Sequence, residues 1–146
     1  MKLSTVSRSL MFAGLIPFIA GTIAIALKLD SWWIINDIAI SFAFYALAIA
    51  SFMSGTHWAV AQLLENRTDL LFHSNLMVLL PWIALLTLGD GSTFYFFLAF
   101  VFFKQYLLDR KLTSQGVFGQ PYLRDRRIVT TTVCLSMLFV AGINFY

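Results

Sequence analysis

His57 is the one histidine that lies well inside an uncharged stretch of this chain instead of at its edge. An imidazole can donate and accept hydrogen bonds, relay a proton or bind a metal. Within a membrane span such a group is a candidate functional site by default. The plainer reading is a neutral imidazole hydrogen-bonded across a helix interface. Other polar side chains converge on the same end of the molecule: Ser54 and Trp58 beside His57, then His73, Asn75, Gln105, Asp109 and Arg124. These eight residues form the candidate cluster. Asn75, and Gln105 or Asp109, are the groups expected to reach His57. No HExxH, GxxxxGK[ST], GxSxG or CxxC pattern occurs, so the chain leans away from enzymes. Zinc needs three or four ligands. Two histidines, with the lone Cys134 deep in the opposite leaflet, cannot supply them. Neither a metal nor a cofactor is therefore expected. His57 and His73 keep haem, a quinone or a lipid headgroup as the alternative.

The elements that must position this cluster are read from charge. Ser9–Leu27, Ile38–Leu64, Leu70–Gly89, Gly91–Phe103 and Ile128–Tyr146 contain no Asp, Glu, Lys or Arg. Crossing the hydrocarbon core takes about 20 mostly apolar residues. Hydrophobic residues make up 60% of the chain and charged ones 12%, half the roughly 25% charge of a soluble domain. The pattern predicts an all-α, integral membrane five-helix bundle, a single transmembrane domain over 1–146, with spans at about 9–28, 38–64, 70–88, 92–110 and 127–145. On the face where the first span starts lie Lys2, Arg8, Arg67, Lys104, Arg110, Lys111, Arg124, Arg126 and Arg127; the other face has Lys28 alone. Positive residues mark the cytoplasmic side. The N-terminus is therefore expected inside and the C-terminus outside, in a bacterial cytoplasmic (inner) membrane, or the mitochondrial inner membrane if the source is eukaryotic. The formal charge of +3 is too small and too localised for a nucleic-acid partner. Lipid headgroups suit the basic face better. The first span resembles a signal peptide, but Gly14 and Pro17 interrupt its apolar run, so it is expected to be retained.

Within the spans, Ala39, Ala43, Ala46, Ala50, Ser54, His57 and Ala61 fall on one stripe of the second helix. Small residues at this spacing let helices approach closely in lipid, which predicts a packing seam with His57 in it. Pro17 should kink the first helix, and Gly14 and Gly21 suit close packing. An Asp109–Arg pair is expected to tie the fourth helix to the fifth. Lys104 should snorkel to the basic interface, Trp32 and Trp33 should form an interfacial belt, and Cys134 should be inert. Gly116, Gly119 and Pro121 predict a loop from about 111 to 124.

Ala13-Gly14-Leu15-Ile16-Pro17-Phe18, Ser51-Phe52-Met53-Ser54-Gly55-Thr56-His57-Trp58, and Asp109-Arg110 with Tyr122-Leu123-Arg124 together resemble the transmembrane protein 69-like family. These are small multi-helix membrane proteins of unknown function, with bacterial and mitochondrial members. The most specific piece resembles a Gly-Gly-x-His-Trp pattern with Ser54 at the first glycine. The third helix departs from the family, with Met77 where a proline is expected, although Trp82 is kept. The resemblance implies the fold and the membrane, and no activity. The functional expectation is a structural, assembly or interaction module, with a membrane-protein partner or a second copy of itself. The alternatives are a quinone-, lipid- or haem-binding module or a small transporter centred on His57.

Overall fold

The computed structural model describes residues 5–31, 35, 37–64 and 67–143. Lys2, the Trp32–Trp33 pair and the end of the last predicted span lie outside the described residues. The fold is all-α: α1 Thr5–Ala13, α2 Leu15–Ala26, α3 Ile38–Leu63, α4 Thr68–Leu88, α5 Ser92–Ser114 and α6 Gln120–Ile143. α1 and α2 are two parts of one rod, giving five rods among the described residues. The rods form a ring in which each packs on its neighbours and α6 closes back on α2; α5 also packs across the ring on α3.

Local chemistry explains the ends and breaks. Pro17 has no N–H for the carbonyl of Ala13 and its ring crowds that carbonyl. The break falls there, at Gly14, whose carbonyl accepts a 2.8 Å bond from the Tyr45 hydroxyl of α3. Asp37 caps α3 by accepting from the Ile40 amide at 2.9 Å. Gly89 ends α4 with φ of 63°, a backbone setting that favours glycine.

Among the described residues, four rods are long and apolar enough to cross a membrane: Thr5–Ala26, Ile38–Leu63, Thr68–Leu88 and Gln120–Ile143. The predicted fourth span, α5, is not among them. Its N-terminal half is apolar, but Lys104, Gln105, Asp109, Arg110 and Lys111 follow on the same helix. α5 also buries the longest set of side chains, from Phe94 and Tyr95 to Asp109 and Leu112. The connection between the last two rods is a further correction. The loop there is shorter than the predicted 111–124: α5 runs to Ser114 and α6 begins at Gln120, leaving 115–119 with Gly116 and Gly119 as the connection. Pro121 occupies the first turn of α6, where a missing N–H costs nothing.

The core joins Phe18 of α2, Phe42, Ala43, Ala46 and Ala50 of α3, Leu98 and Phe102 of α5, and Met137 and Val140 of α6. Phe18 makes edge contacts with Phe42, Tyr45 and Phe102, with ring centroids 5.1 to 6.0 Å apart. The small-residue stripe of α3 is buried from Ala43 through Ala61, with Ala46 and Ala50 fully inaccessible; Ala39 is half-buried. The outside is apolar as well, with Phe44, Phe52, Phe72, Trp82 and Leu86 all exposed.

Candidate functional site

The site is assembled in tiers at the end of the bundle where α3 finishes and α6 begins. The first tier joins α3 to α5. Gln105 Nε2 donates to the Ala50 carbonyl at 2.7 Å and to Ser54 Oγ at 2.9 Å. Ser54 Oγ in turn donates to the Ala50 carbonyl at 3.0 Å. One helical turn further along both helices, His57 Nε2 lies 2.8 Å from Asp109 Oδ1. The spacings 54 to 57 and 105 to 109 keep each pair on its own helix face, so the same approach of α3 and α5 builds both tiers.

Asp109 then reaches α6. Its Oδ2 accepts from Arg126 Nε at 2.8 Å and from the Tyr122 hydroxyl at 3.3 Å. An ionised carboxylate is acceptor-only, so the shared proton with His57 is placed on Nε2, which donates to Oδ1. Thr113 Oγ1 donates to the Asp109 carbonyl at 2.8 Å. Ser54, His57, Gln105 and Asp109 are fully buried and Arg126 nearly so. A buried charge is tolerated when paired and hydrogen-bonded, and the Asp109–Arg126 pair meets that condition.

The network leaves specific atoms open. His57 Nδ1, His73 Nδ1, Gln105 Oε1, Arg126 Nη2 and Thr130 Oγ1 are buried without a hydrogen-bond partner among the described residues. The rings of His57 and His73 meet edge to face at 5.9 Å, bringing α4 to the site. Among the described residues no group of three or more His, Cys, Asp or Glu side chains is placed to hold a metal ion.

Of the eight residues singled out in the sequence, five come together here: Ser54, His57, His73, Gln105 and Asp109. Trp58 points outward and is 49% exposed. Asn75 is exposed and donates to the Leu71 carbonyl of its own helix at 2.8 Å, so it does not reach His57. Arg124 is exposed, 3.7 Å from Asp125; the expected Asp109–Arg pair between the last two rods is present and is made by Arg126. Tyr122 and Arg126 were missed as site residues. Helical phase identifies them: Tyr122, Arg126, Val129, Val133 and Val140 share one side of α6, while Arg124 is about half a turn away from it. Asp125, also unforeseen, is buried and pairs with Arg8 of α1 at 2.8 Å. Cys134 is half-buried, its thiol 3.5 Å from the Ala99 carbonyl. Lys104 is exposed.

A cavity of about 420 Å³ adjoins the network. Its wall is drawn from α1, α2, α3, α5 and α6 and is mostly apolar, with Leu10, Met11, Phe18, Ile49, Phe102 and Val133 on it. Tyr122 and Arg126 also stand on this wall. Both are donors to Asp109, so the network and the cavity share two side chains.

The all-α fold and the buried His–Asp–Arg network define a helical-bundle protein, four of whose described rods are long and apolar enough to cross a membrane. A family model described as "protein of unknown function (DUF3429)" matches residues 4–142. The chain belongs to that family. Comparison with curated proteins gave no match, and neither did comparison with solved structures.

Proposed function

We propose that this protein is a five-span integral membrane protein that binds a small ligand from within the bilayer, in the cavity beside Arg126 and Tyr122. The observation that carries this reading is the cavity itself. It has the volume of a small-molecule site, an apolar wall, and two polar side chains held in place by a carboxylate behind them. α5 counts as the fifth span: Gln105 and Asp109 face neighbouring helices, which relieves the cost of taking them through lipid, while Lys104, Arg110 and Lys111 are exposed near the basic end of the helix, where they can reach headgroups. The basic bias supports an inside N-terminus and an outside C-terminus, in a bacterial cytoplasmic membrane or a mitochondrial inner membrane. The resemblance to the transmembrane protein 69-like family accords with this setting. A haem would require His57 to release Asp109 from Nε2 or to bind iron through Nδ1.

A second reading, a structural or assembly module with a membrane-protein partner or a second copy, is favoured by the network. It ties α3, α5 and α6 together much as a clamp would. The two readings separate on one experiment. Lipid extract from the host membrane is fractionated and added to the purified protein in detergent. At least one fraction should raise the unfolding temperature of the wild type and leave Ile49→Trp, which fills the cavity, unmoved. If no fraction stabilises the wild type, or all stabilise both proteins equally, the ligand reading fails and the clamp remains. A reporter fused after Tyr146 should be active outside only; activity inside would overturn the orientation.

A further inference from the structure

The first two rods meet at one level and part beyond it. At Gly14 the Tyr45 hydroxyl of α3 joins them with a 2.8 Å bond, and Phe18 packs there on Phe42 and Tyr45. Toward the basic end α2 gives way to α1, which packs on α2 and α6 but not on α3. Arg8 holds α1 to that side: its Nε lies 2.8 Å from Asp125 Oδ2 and its Nη2 donates to Oδ1 at 3.2 Å. The cavity is the cleft that results. Across it Leu10 and Met11 of α1 face Ile49, Phe52 and Met53 of α3. The two faces do not close on each other, for Leu10 is 67% exposed and Phe52 69% although both line the cavity. The cleft therefore opens sideways, onto the apolar outer surface.

Its depth and polarity match one half of a bilayer. From Tyr45 to Thr56 α3 rises by eleven residues, about 16 Å at 1.5 Å each, against about 15 Å for half of the hydrocarbon core. The polar wall residues Ser7, Thr56, Tyr122 and Arg126 stand at the wide, basic end, and the narrow end is apolar. A lipid tail of that leaflet runs in the same sense, its ester toward the basic end and its methyl group toward the midplane. Apolar helix faces held apart lose packing contacts unless something fills the gap between them.

We infer that the cleft holds one acyl chain of a lipid from the basic-side leaflet, which enters sideways between α1 and α3. This rests on the ligand-binding reading given above and names its ligand class.

The test uses full-length protein in phosphatidylcholine vesicles. A trace of phosphatidylcholine carries a diazirine on one chain, near the ester in one probe and near the methyl end in the other. After illumination the labelled residues are mapped. The ester-end probe should mark Ser7 and Thr56, and the methyl-end probe Gly14 and Ile49. Leu80, exposed on the outer face of α4, reports contact with bulk lipid. Ile49→Trp should lose the Gly14 adducts and keep those at Leu80. Labelling at Leu80 with none in the cleft, a reversed order of the two probes, or Gly14 adducts unchanged in Ile49→Trp would each overturn the acyl-chain assignment. So would cleft labelling by a diazirine isoprenoid alcohol and not by the phospholipids. If the assignment falls while a lipid fraction still stabilises the wild type and not Ile49→Trp, the ligand-binding reading stands without it; if neither effect is seen, both fall.

Discussion

Asp109 meets His57 from α3 and both Tyr122 and Arg126 from α6 on its two carboxylate oxygens. Removing its charge is therefore worse than removing any one donor. Asp109→Asn keeps the shape but leaves the Arg126 guanidinium buried without its counter-charge, which should cost about 3–5 kcal/mol. His57→Gln retains an N–H donor for Asp109 and should cost about 1 kcal/mol. Thermal unfolding in one detergent should rank wild type, then His57→Gln, then Asp109→Asn well below both. Equal midpoints for Asp109→Asn and wild type would mean that the network carries no stability. At this scale the sequence was partly legible. His57 and Asp109 stood out because ionisable groups are rare in apolar stretches. Arg124 was preferred to Arg126 because three arginines stand within four positions and only helical phase separates them. Reading Pro121 as part of a loop removed that phase.

The approach of α2 to α3 rests on Gly21. A Cβ added there would lie 2.5 Å from the Phe42 ring, a separation that forces the ring or the helix to move. Phe42 is itself held between Phe18 and Tyr95, so little room exists for it to yield. Gly21→Ala should destabilise by about 1–3 kcal/mol. Gly55 on α3 is the control: a Cβ there meets nothing within 4 Å, and Gly55→Ala should stabilise by up to about 1 kcal/mol through helix propensity. Matching unfolding midpoints for the two variants would remove the close approach of α2 and α3 from the account. The sequence suggested close packing at both Gly14 and Gly21; at Gly14 an added Cβ would make only ordinary contacts, because that glycine sits at the break opposite the slim Tyr45 hydroxyl. The seam on α3 was readable because its period is that of a helix and its residues are small. The role of α5 was harder to read: its aromatic residues cover all faces, so sequence alone does not separate the buried Phe94, Tyr95 and Phe102 from the exposed Phe96, Phe100 and Phe103.

Across the whole molecule, large apolar side chains lie on the outer surface and the charged pairs Asp109–Arg126 and Arg8–Asp125 lie within or at the edge of the bundle. So many exposed large apolar side chains mark a surface that meets a membrane or a protein partner, and the interior polar groups require partners from several helices at once. Helix number was legible because uncharged stretches are long and turns short. The cavity was not, because it arises where five helices fail to meet, and no local sequence pattern records such a gap. In the proposed function this gap binds a ligand beside Arg126. The most direct measurement is native mass spectrometry of the protein extracted gently from its own membrane. The wild type should retain a small hydrophobic molecule of defined mass through detergent removal, and Ile49→Trp, folded in the same preparation, should not. Wild-type protein that flies at its bare polypeptide mass, or a retained molecule held equally by Ile49→Trp, would contradict it.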